Sequence, residues 1–125
     1  MNIGKTLVFV NGVLFVGFGL GFIISPGFFL KLFTDTTLSL PSAVIDVRAT
    51  YGGLGLGVGV WLLLCFKDNV RLGLLGSLVV LASIILGRTI GLIVDGNPNI
   101  FMFVFLGAEM VFFLAALYAL KSTKI

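Results

Sequence analysis

Apolar residues fill this chain in four long runs, and polar residues cluster in the short segments between them. The runs cover residues 7–24, 43–66, 72–94 and 100–120. Each run approaches the ~20 residues that a helix needs to cross the ~30 Å of hydrocarbon in a bilayer. Because an unpaired backbone group has no hydrogen-bond partner in lipid, each run is predicted to be a helix. The pattern therefore predicts an all-α integral membrane protein with a single four-span domain, a four-helix bundle, over residues 1–125.

Composition places the chain in the same class. Hydrophobic residues make up 59% of the sequence and charged residues 10%, whereas a soluble domain has about 25% charged residues. The spans leave too little chain for a soluble domain. An outer-membrane barrel is not predicted, because its strands would alternate apolar and polar positions over ~10 residues. We expect a multi-pass protein of the cell (inner) membrane, surrounded by the lipid bilayer.

Basic residues outside the spans predict the orientation. Short loops rich in Lys and Arg stay in the cytoplasm, and the loop cations lie almost entirely on one side. Both termini are therefore predicted to be cytoplasmic. The net charge of +3 follows from this topology and does not predict nucleic-acid binding, which needs a water-exposed basic stripe. The cations on the predicted cytoplasmic side are Lys5, Lys67, Arg71, Lys121 and Lys124, against Lys31 on the other.

The longest connection, residues 25–42, begins with the features of a short helix. Pro26 suits a first helical position, and Phe28, Phe29 and Lys31 make the segment amphipathic. Such a helix lies in the membrane interface, as an anchor or alternatively as a lid over a cavity. The last connection, residues 95–99, has the sequence D-G-N-P-N, which predicts a tight turn between two helices.

Glycines in spans two and three predict close helix packing. Small residues at three- and four-residue spacings let the backbones of membrane helices approach closely. Gly52, Gly55 and Gly59 keep one face of span two, and span three contains a G-x-x-x-G. We therefore expect spans two and three to pack tightly. The glycines assigned to packing are Gly52, Gly53, Gly55, Gly59, Gly87 and Gly91.

Catalytic and cofactor chemistry is not predicted. The chain has no histidine, and Cys65 has no second cysteine with which to form a disulfide or a metal site. No two carboxylates share a helical face, so only Tyr51 and Glu109 are available for acid–base catalysis. Enzymatic activity is therefore the least favoured class, and we expect neither a metal nor a cofactor.

Two ionised side chains of opposite sign fall within the apolar runs. Arg88 lies in span three, and Glu109 lies near the middle of span four. A charged side chain at the bilayer centre costs ~2.5–3.5 kcal/mol on insertion scales, so such residues usually have a partner or a function. At the helical rise of 1.5 Å per residue, Arg88 lies ~9 Å and Glu109 ~13 Å below the outer ends of their spans. A long guanidinium side chain can bridge that difference.

Further polar residues lie at a similar depth in span two. Arg48 is about as deep as Arg88, and Tyr51 shares its helical face three residues later. One carboxylate facing two arginines leaves a spare positive charge, which an aspartate or an anionic ligand would neutralise. The predicted cluster consists of Arg48, Tyr51, Arg88 and Glu109, with Asp46 and Asp95 nearer the water.

Two functions are compatible with this cluster. In the first, a buried ion-pair network fixes helix register in a structural or accessory module, which forms a homo-oligomer or joins a larger membrane complex. In the second, the cluster binds a small anionic or amphiphilic ligand, such as a lipid or quinone, from the outer side, in a binding or transport protein. Proton passage through Glu109 would need a relay that the inner halves of spans two and three lack.

The same polar positions resemble those of a known family. The stretch D-x-R-A-x-Y-G-G begins at Asp46 and is followed by a Gly-Arg pair, a D-G-x-P turn and a membrane glutamate. This combination extends over nearly the whole chain and resembles a family of small four-span bacterial membrane proteins known only as a domain of unknown function. The resemblance implies no activity. It implies that the signature positions are Arg48, Tyr51, Gly52, Gly53, Arg88, Asp95 and Glu109.

Overall fold

The computed structural model describes residues 2–122, and nearly all of them are helical. Four helices are long and apolar enough to cross a membrane. The predicted all-α chain with four apolar spans is thus confirmed, although five helices rather than four are present because a short one follows the first span. The helices are α1 (Ile3–Ile24), α2 (Pro26–Thr34), α3 (Pro41–Asp68), α4 (Val70–Val94) and α5 (Ile100–Ser122).

Most helices begin where the sequence supplies a capping side chain or a proline. The side chain of Asn2 accepts a hydrogen bond of 2.8 Å from the backbone of Lys5, and Asn69 caps α4 in the same way. Pro26 and Pro41 occupy the start of α2 and α3, where a helix needs no backbone donor. Local signals of this kind explain why the spans predicted from the sequence end within a few residues of the observed helices.

The bundle has two ends, and its core lies toward one of them. We call the end with the start of α1 and the α3–α4 turn the terminal end, and the end with α2 and the α4–α5 turn the loop end. Within the described parts of α4 and α5, α4 has no buried residue after Leu81 and α5 has none before Ala116. The core at the terminal end consists of Val8, Leu62, Cys65, Leu74, Ala116 and Ala119.

The closest approach of two helices is between α1 and α3, which share the most extensive contact. A Cβ atom at Gly59 would lie 2.8 Å from the carbonyl oxygen of Gly12, and one at Gly19 would lie 2.8 Å from that of Gly52. A Cβ atom at Gly55 would lie 3.5 Å from Gly19, an ordinary contact distance. The glycine face of α3 therefore packs against α1, rather than against α4 as expected from the sequence. Gly12 and Gly19 of α1 lie opposite Gly59 and Gly52 of α3, so the two backbones can approach closely.

The small residues of α4 form a face that α3 covers only in part. Toward the terminal end, Gly76 lies against the ring of Trp61. Toward the loop end, a Cβ atom at Gly87 would meet no packing neighbour within 4 Å, and one at Gly91 would meet only the side chain of Asp95. The G-x-x-x-G of α4 therefore has no partner helix among the described residues. The glycines with no packing neighbour within 4 Å are Gly17, Gly27, Gly53, Gly57, Gly87, Gly96 and Gly107.

The loop end of α3 is irregular, although the sequence predicts a regular helix there. α-Helix over Pro41–Val47 is followed by π-helix over Arg48–Leu54 and then by α-helix over Gly55–Asp68. A π-helix has hydrogen bonds from residue i to i+5, and such segments are frequent at functional sites. The π-helical segment contains both Arg48 and Tyr51, so their directions differ from those expected of an α-helix.

Candidate functional site

Arg88 and Glu109 form an ion pair between α4 and α5. The Nε and Nη2 atoms of Arg88 donate to Oε1 and Oε2 of Glu109, each over 2.8 Å. The two side chains are 22% and 15% exposed. A bidentate pair of this kind is among the strongest charged contacts in proteins. Both carboxylate oxygens of Glu109 are therefore occupied by one arginine.

The other contacts of Arg88 also reach α5. Its Nη1 atom donates to the sulfur of Met102 over 3.4 Å, and its guanidinium carbon lies 5.4 Å from the centre of the Phe105 ring. A guanidinium at this distance from an aromatic face is attracted by the ring. Arg88 is thus fixed to three successive turns of α5.

Arg48 lies apart from this pair. Its Nη1 atom donates to the backbone oxygen of Ile23, in the last turn of α1. The last carbonyls of a helix have no partner within the helix, and a cation beside them is also favoured by the helix dipole. The Arg48 side chain is exposed and, within residues 2–122, has no acidic partner. The predicted cluster is therefore divided between two places.

The remaining predicted residues do not join either arginine. The ring of Tyr51 packs against Phe22, with ring centres 5.2 Å apart, and the residue is 53% exposed. Asp46 is exposed near the start of α3. Asp95 follows the end of α4, where its backbone N–H donates to the carbonyl of Gly91 over 2.8 Å. Neither aspartate forms an ion pair with the part of the chain that the structure describes.

Phenylalanine rings fill the space between the two arginine sites. Phe33 of α2 is central, because its ring lies between 5.2 and 6.3 Å from five other rings of α1, α2 and α5. The rings connect Phe22, beside Tyr51, with Phe105, beside Arg88. We call this set the aromatic cluster. Its members are Phe18, Phe22, Phe29, Phe33, Phe101 and Phe105.

Asn99 makes a polar contact that the sequence pattern does not predict. Its amide nitrogen donates to the backbone oxygen of Phe33 over 2.9 Å and to Oδ2 of Asp35 over 3.1 Å. Asp35 has a left-handed backbone conformation, with φ of 63°, which directly ends α2. The contact joins the long connection after α1 to the start of α5. The D-G-N-P-N sequence signals a turn but not the partner of its second asparagine.

The surface grooves at the site are apolar. One, of about 370 Å³, is lined by residues of α1 and α2, and another, of about 430 Å³, by residues of α4 and α5. Neither is lined by Arg48, Arg88 or Glu109. Among the described residues, no three His, Cys, Asp or Glu side chains lie close enough to bind a metal ion. The grooves therefore lack the convergent polar groups that orient a ligand in an ordinary pocket.

Four long apolar helices define this chain as a multi-pass helical membrane protein. The chain belongs to the family DUF4345, a domain of unknown function, which matches residues 3–120. This agrees with the expected membership of an uncharacterised family. No curated protein and no solved structure matches the chain. The family match therefore assigns the chain to a group of proteins and not to an activity.

Proposed function

We propose that this protein is a non-catalytic structural or accessory module of the cell (inner) membrane. Both termini lie in the cytoplasm, since the basic loop residues lie toward the terminal end. In this orientation the loop end faces outward, and the amphipathic α2 lies in the outer membrane interface. The module works by packing against another membrane helix, from a second copy or from a larger membrane complex.

The closed ion pair supports a structural role. Arg88 and Glu109 neutralise each other through two hydrogen bonds, so the pair offers no free charge to a ligand. It fixes the register of α4 on α5 instead, a role for which charged groups inside a protein have precedent. The alternative, one shared cluster that binds or transports an anionic or amphiphilic ligand, has less support, because Arg48 contacts neither Arg88 nor Glu109 in the described chain.

The observation that carries the proposal is the uncovered small-residue face of α4. A glycine inside a helix costs about 1 kcal/mol relative to alanine, and close helix packing offsets that cost where a neighbour is present. Gly87 has no packing neighbour within 4 Å, and Gly91 has only the side chain of Asp95. The G-x-x-x-G spacing is the one at which membrane helices associate most closely. This face therefore suits the helix of a second copy, and self-association is the form that we propose.

The test is the oligomeric state of the full chain in lipid bilayers. Single-molecule photobleaching in liposomes would count the subunits of the unmodified protein and of a Gly87→Leu variant. A Cβ atom at this position would meet no packing neighbour within 4 Å, so we expect a leucine here to leave the monomer folded while it separates two closely packed helices. We expect oligomers for the unmodified protein and monomers for Gly87→Leu.

Gly107→Leu is the matched control, because Gly107 also lies in a spanning helix with no packing neighbour within 4 Å. We expect it to form the same oligomers as the unmodified protein. An unmodified protein that stays monomeric at high density would contradict self-association. If Gly87→Leu and Gly107→Leu reduce oligomer formation equally, the interface is not specific to the α4 face.

A further inference from the structure

The positive charges within the spans are not balanced equally. Arg88 is neutralised by Glu109 over 2.8 Å, whereas Arg48 has only the neutral carbonyl of Ile23 as a partner in the described chain. At 1.5 Å per residue from Pro41, Arg48 lies ~10 Å from the loop end of α3. A charged side chain in a membrane helix pairs with an opposite charge or extends to the polar interface. An anion from outside the described chain would supply the counter-charge that Arg48 lacks within it.

The geometry around Arg48 leaves donors available for that anion. The Ile23 carbonyl accepts from Nη1 only, and Arg48 as a residue is exposed. Its Nε and Nη2 atoms have no partner among residues 2–122. Two adjacent donors in a planar group match two oxygens of a phosphate. The Ile23 contact holds the guanidinium in place, which lowers the entropy that binding would otherwise lose.

No carboxylate of the described chain supplies this anion. Asp46 lies two residues before Arg48, and two residues is more than half a turn around a helix. Asp35 accepts a hydrogen bond from Asn99, and Asp95 follows the end of α4.

We infer that Arg48 binds the phosphate group of a membrane phospholipid. Exposed apolar side chains beside it favour a lipid over a soluble anion, since Ile45, one turn away, is 65% exposed and Ile24, next to Ile23, is 73% exposed. A phospholipid whose phosphate binds Arg48 would place its acyl chains along these apolar residues. In the predicted orientation the lipid belongs to the outer leaflet. The inference does not depend on self-association, because Arg48 and Gly87 lie on different helices.

Native mass spectrometry of the full chain, released from detergent, tests this inference. The protein is titrated separately with phosphatidylglycerol, with a diacylglycerol of the same acyl chains and with inorganic phosphate. We expect one phosphatidylglycerol to remain bound per chain and the diacylglycerol to be lost. In Arg48→Gln the affinity for phosphatidylglycerol should fall at least ~10-fold, since a charge-assisted contact is removed.

Two variants control the experiment. Arg48→Gln removes the positive charge and keeps a polar side chain at the same position. Lys31→Gln removes a positive charge from the same end of the protein, on an exposed position of α2, and should retain the lipid. If Arg48→Gln fails to fold, Arg48→Lys replaces it, with weaker lipid binding expected because the planar fork is lost.

Three results would overturn the inference: equal lipid retention by the folded Arg48 variants, equal retention of diacylglycerol and phosphatidylglycerol, or the same loss in Lys31→Gln. Binding of inorganic phosphate that depends on Arg48, without retention of the lipid, would support the phosphate site and assign it to a soluble anion. Retention of phosphatidylglycerol that phosphate does not displace would support the lipid. The oligomer test with Gly87→Leu is independent of these lipid-binding results, so its outcome would not change their interpretation.

Discussion

Arg88 and Glu109, 21 residues apart in sequence, are joined side by side through two hydrogen bonds of 2.8 Å. The pair connects the two helices that follow the α3–α4 turn at a level where neither contributes a fully buried residue to the core. It adds a charged contact between the two helices at that level. Because each charge lies within an apolar span, each depends on the other for its stability in the membrane.

Neutralising one member of this pair should destabilise the protein. Glu109→Gln leaves Arg88 with no counter-charge, and we expect the free energy of unfolding to fall by ~3 kcal/mol. Arg88→Met combined with Glu109→Met should cost much less, because no lone charge remains. Reversible unfolding in mixed micelles, followed by circular dichroism, measures both. If the double variant loses as much stability as Arg88→Met and Glu109→Met lose separately in sum, the two charges do not stabilise each other.

The α1–α3 contact should be sensitive to a single methyl group. A Cβ atom at Gly19 would lie 2.8 Å from the Gly52 carbonyl oxygen and closer still to the backbone of Leu56. Backbone cannot move aside as a side chain can, so Gly19→Ala should lower the free energy of unfolding by at least ~1–3 kcal/mol. The same unfolding experiment measures this loss.

Gly17→Ala provides the comparison within the same helix. A Cβ atom at Gly17 would meet no packing neighbour within 4 Å, and alanine is favoured over glycine in a helix by up to ~1 kcal/mol. We expect unchanged or slightly increased stability. A loss equal to that of Gly19→Ala would mean that α1 needs flexibility at both glycines rather than close contact at one.

Removal of the Asn99 amide should release α2. The amide nitrogen donates to Phe33 and Asp35, so Asn99→Ala removes the hydrogen bonds between the end of α2 and the start of α5. Hydrogen exchange of the peptide covering residues 26–34 should become ~2- to 10-fold faster, as expected for the loss of a net ~0.5–1.5 kcal/mol. Mass spectrometry of the exchanged peptides measures the rate.

Asn97→Ala is the control for this experiment. Asn97 lies in the same turn, is exposed and forms no hydrogen bond with the described chain. It should leave the exchange of α2 unchanged. If both variants accelerate exchange equally, the turn as a whole orders α2, and the Asn99 contact does not.

Local signals in the sequence were sufficient to predict the spans. Apolar length predicted the four long helices, and Pro26 predicted the start of the short one. In the structure Pro41 and Asn69 stand at the starts of α3 and α4 in the same way. Each of these signals acts within a few residues of the chain. The presence of a short helix after α1 followed from the same kind of signal.

The arrangement of the polar residues required information that local patterns lack. Counting residues along each helix placed Arg48 and Arg88 at the same depth in the membrane. Depth does not determine whether two side chains on different helices face each other. The π-helical turn over Arg48–Leu54 changes the directions of Arg48 and Tyr51, and no residue type specifies such a turn. Pairing also depends on which helices are neighbours. The glycine pattern predicted that spans two and three pack together, but it does not specify the partner helix, and the α3 glycines pack on α1 instead.

The position of the core determines where this protein can move. The core cluster lies at the terminal end, whereas at the loop end the aromatic cluster and the Asn99 contact join α1 and α2 to α5. No comparable contact joins α3 to α4 at that end among the described residues, since Gly87 has no packing neighbour within 4 Å. Local opening costs least where few apolar contacts must break. Opening between the loop ends of α3 and α4 toward the bilayer would therefore break fewer contacts than opening at the terminal end, and it would leave the core and the ion pair intact.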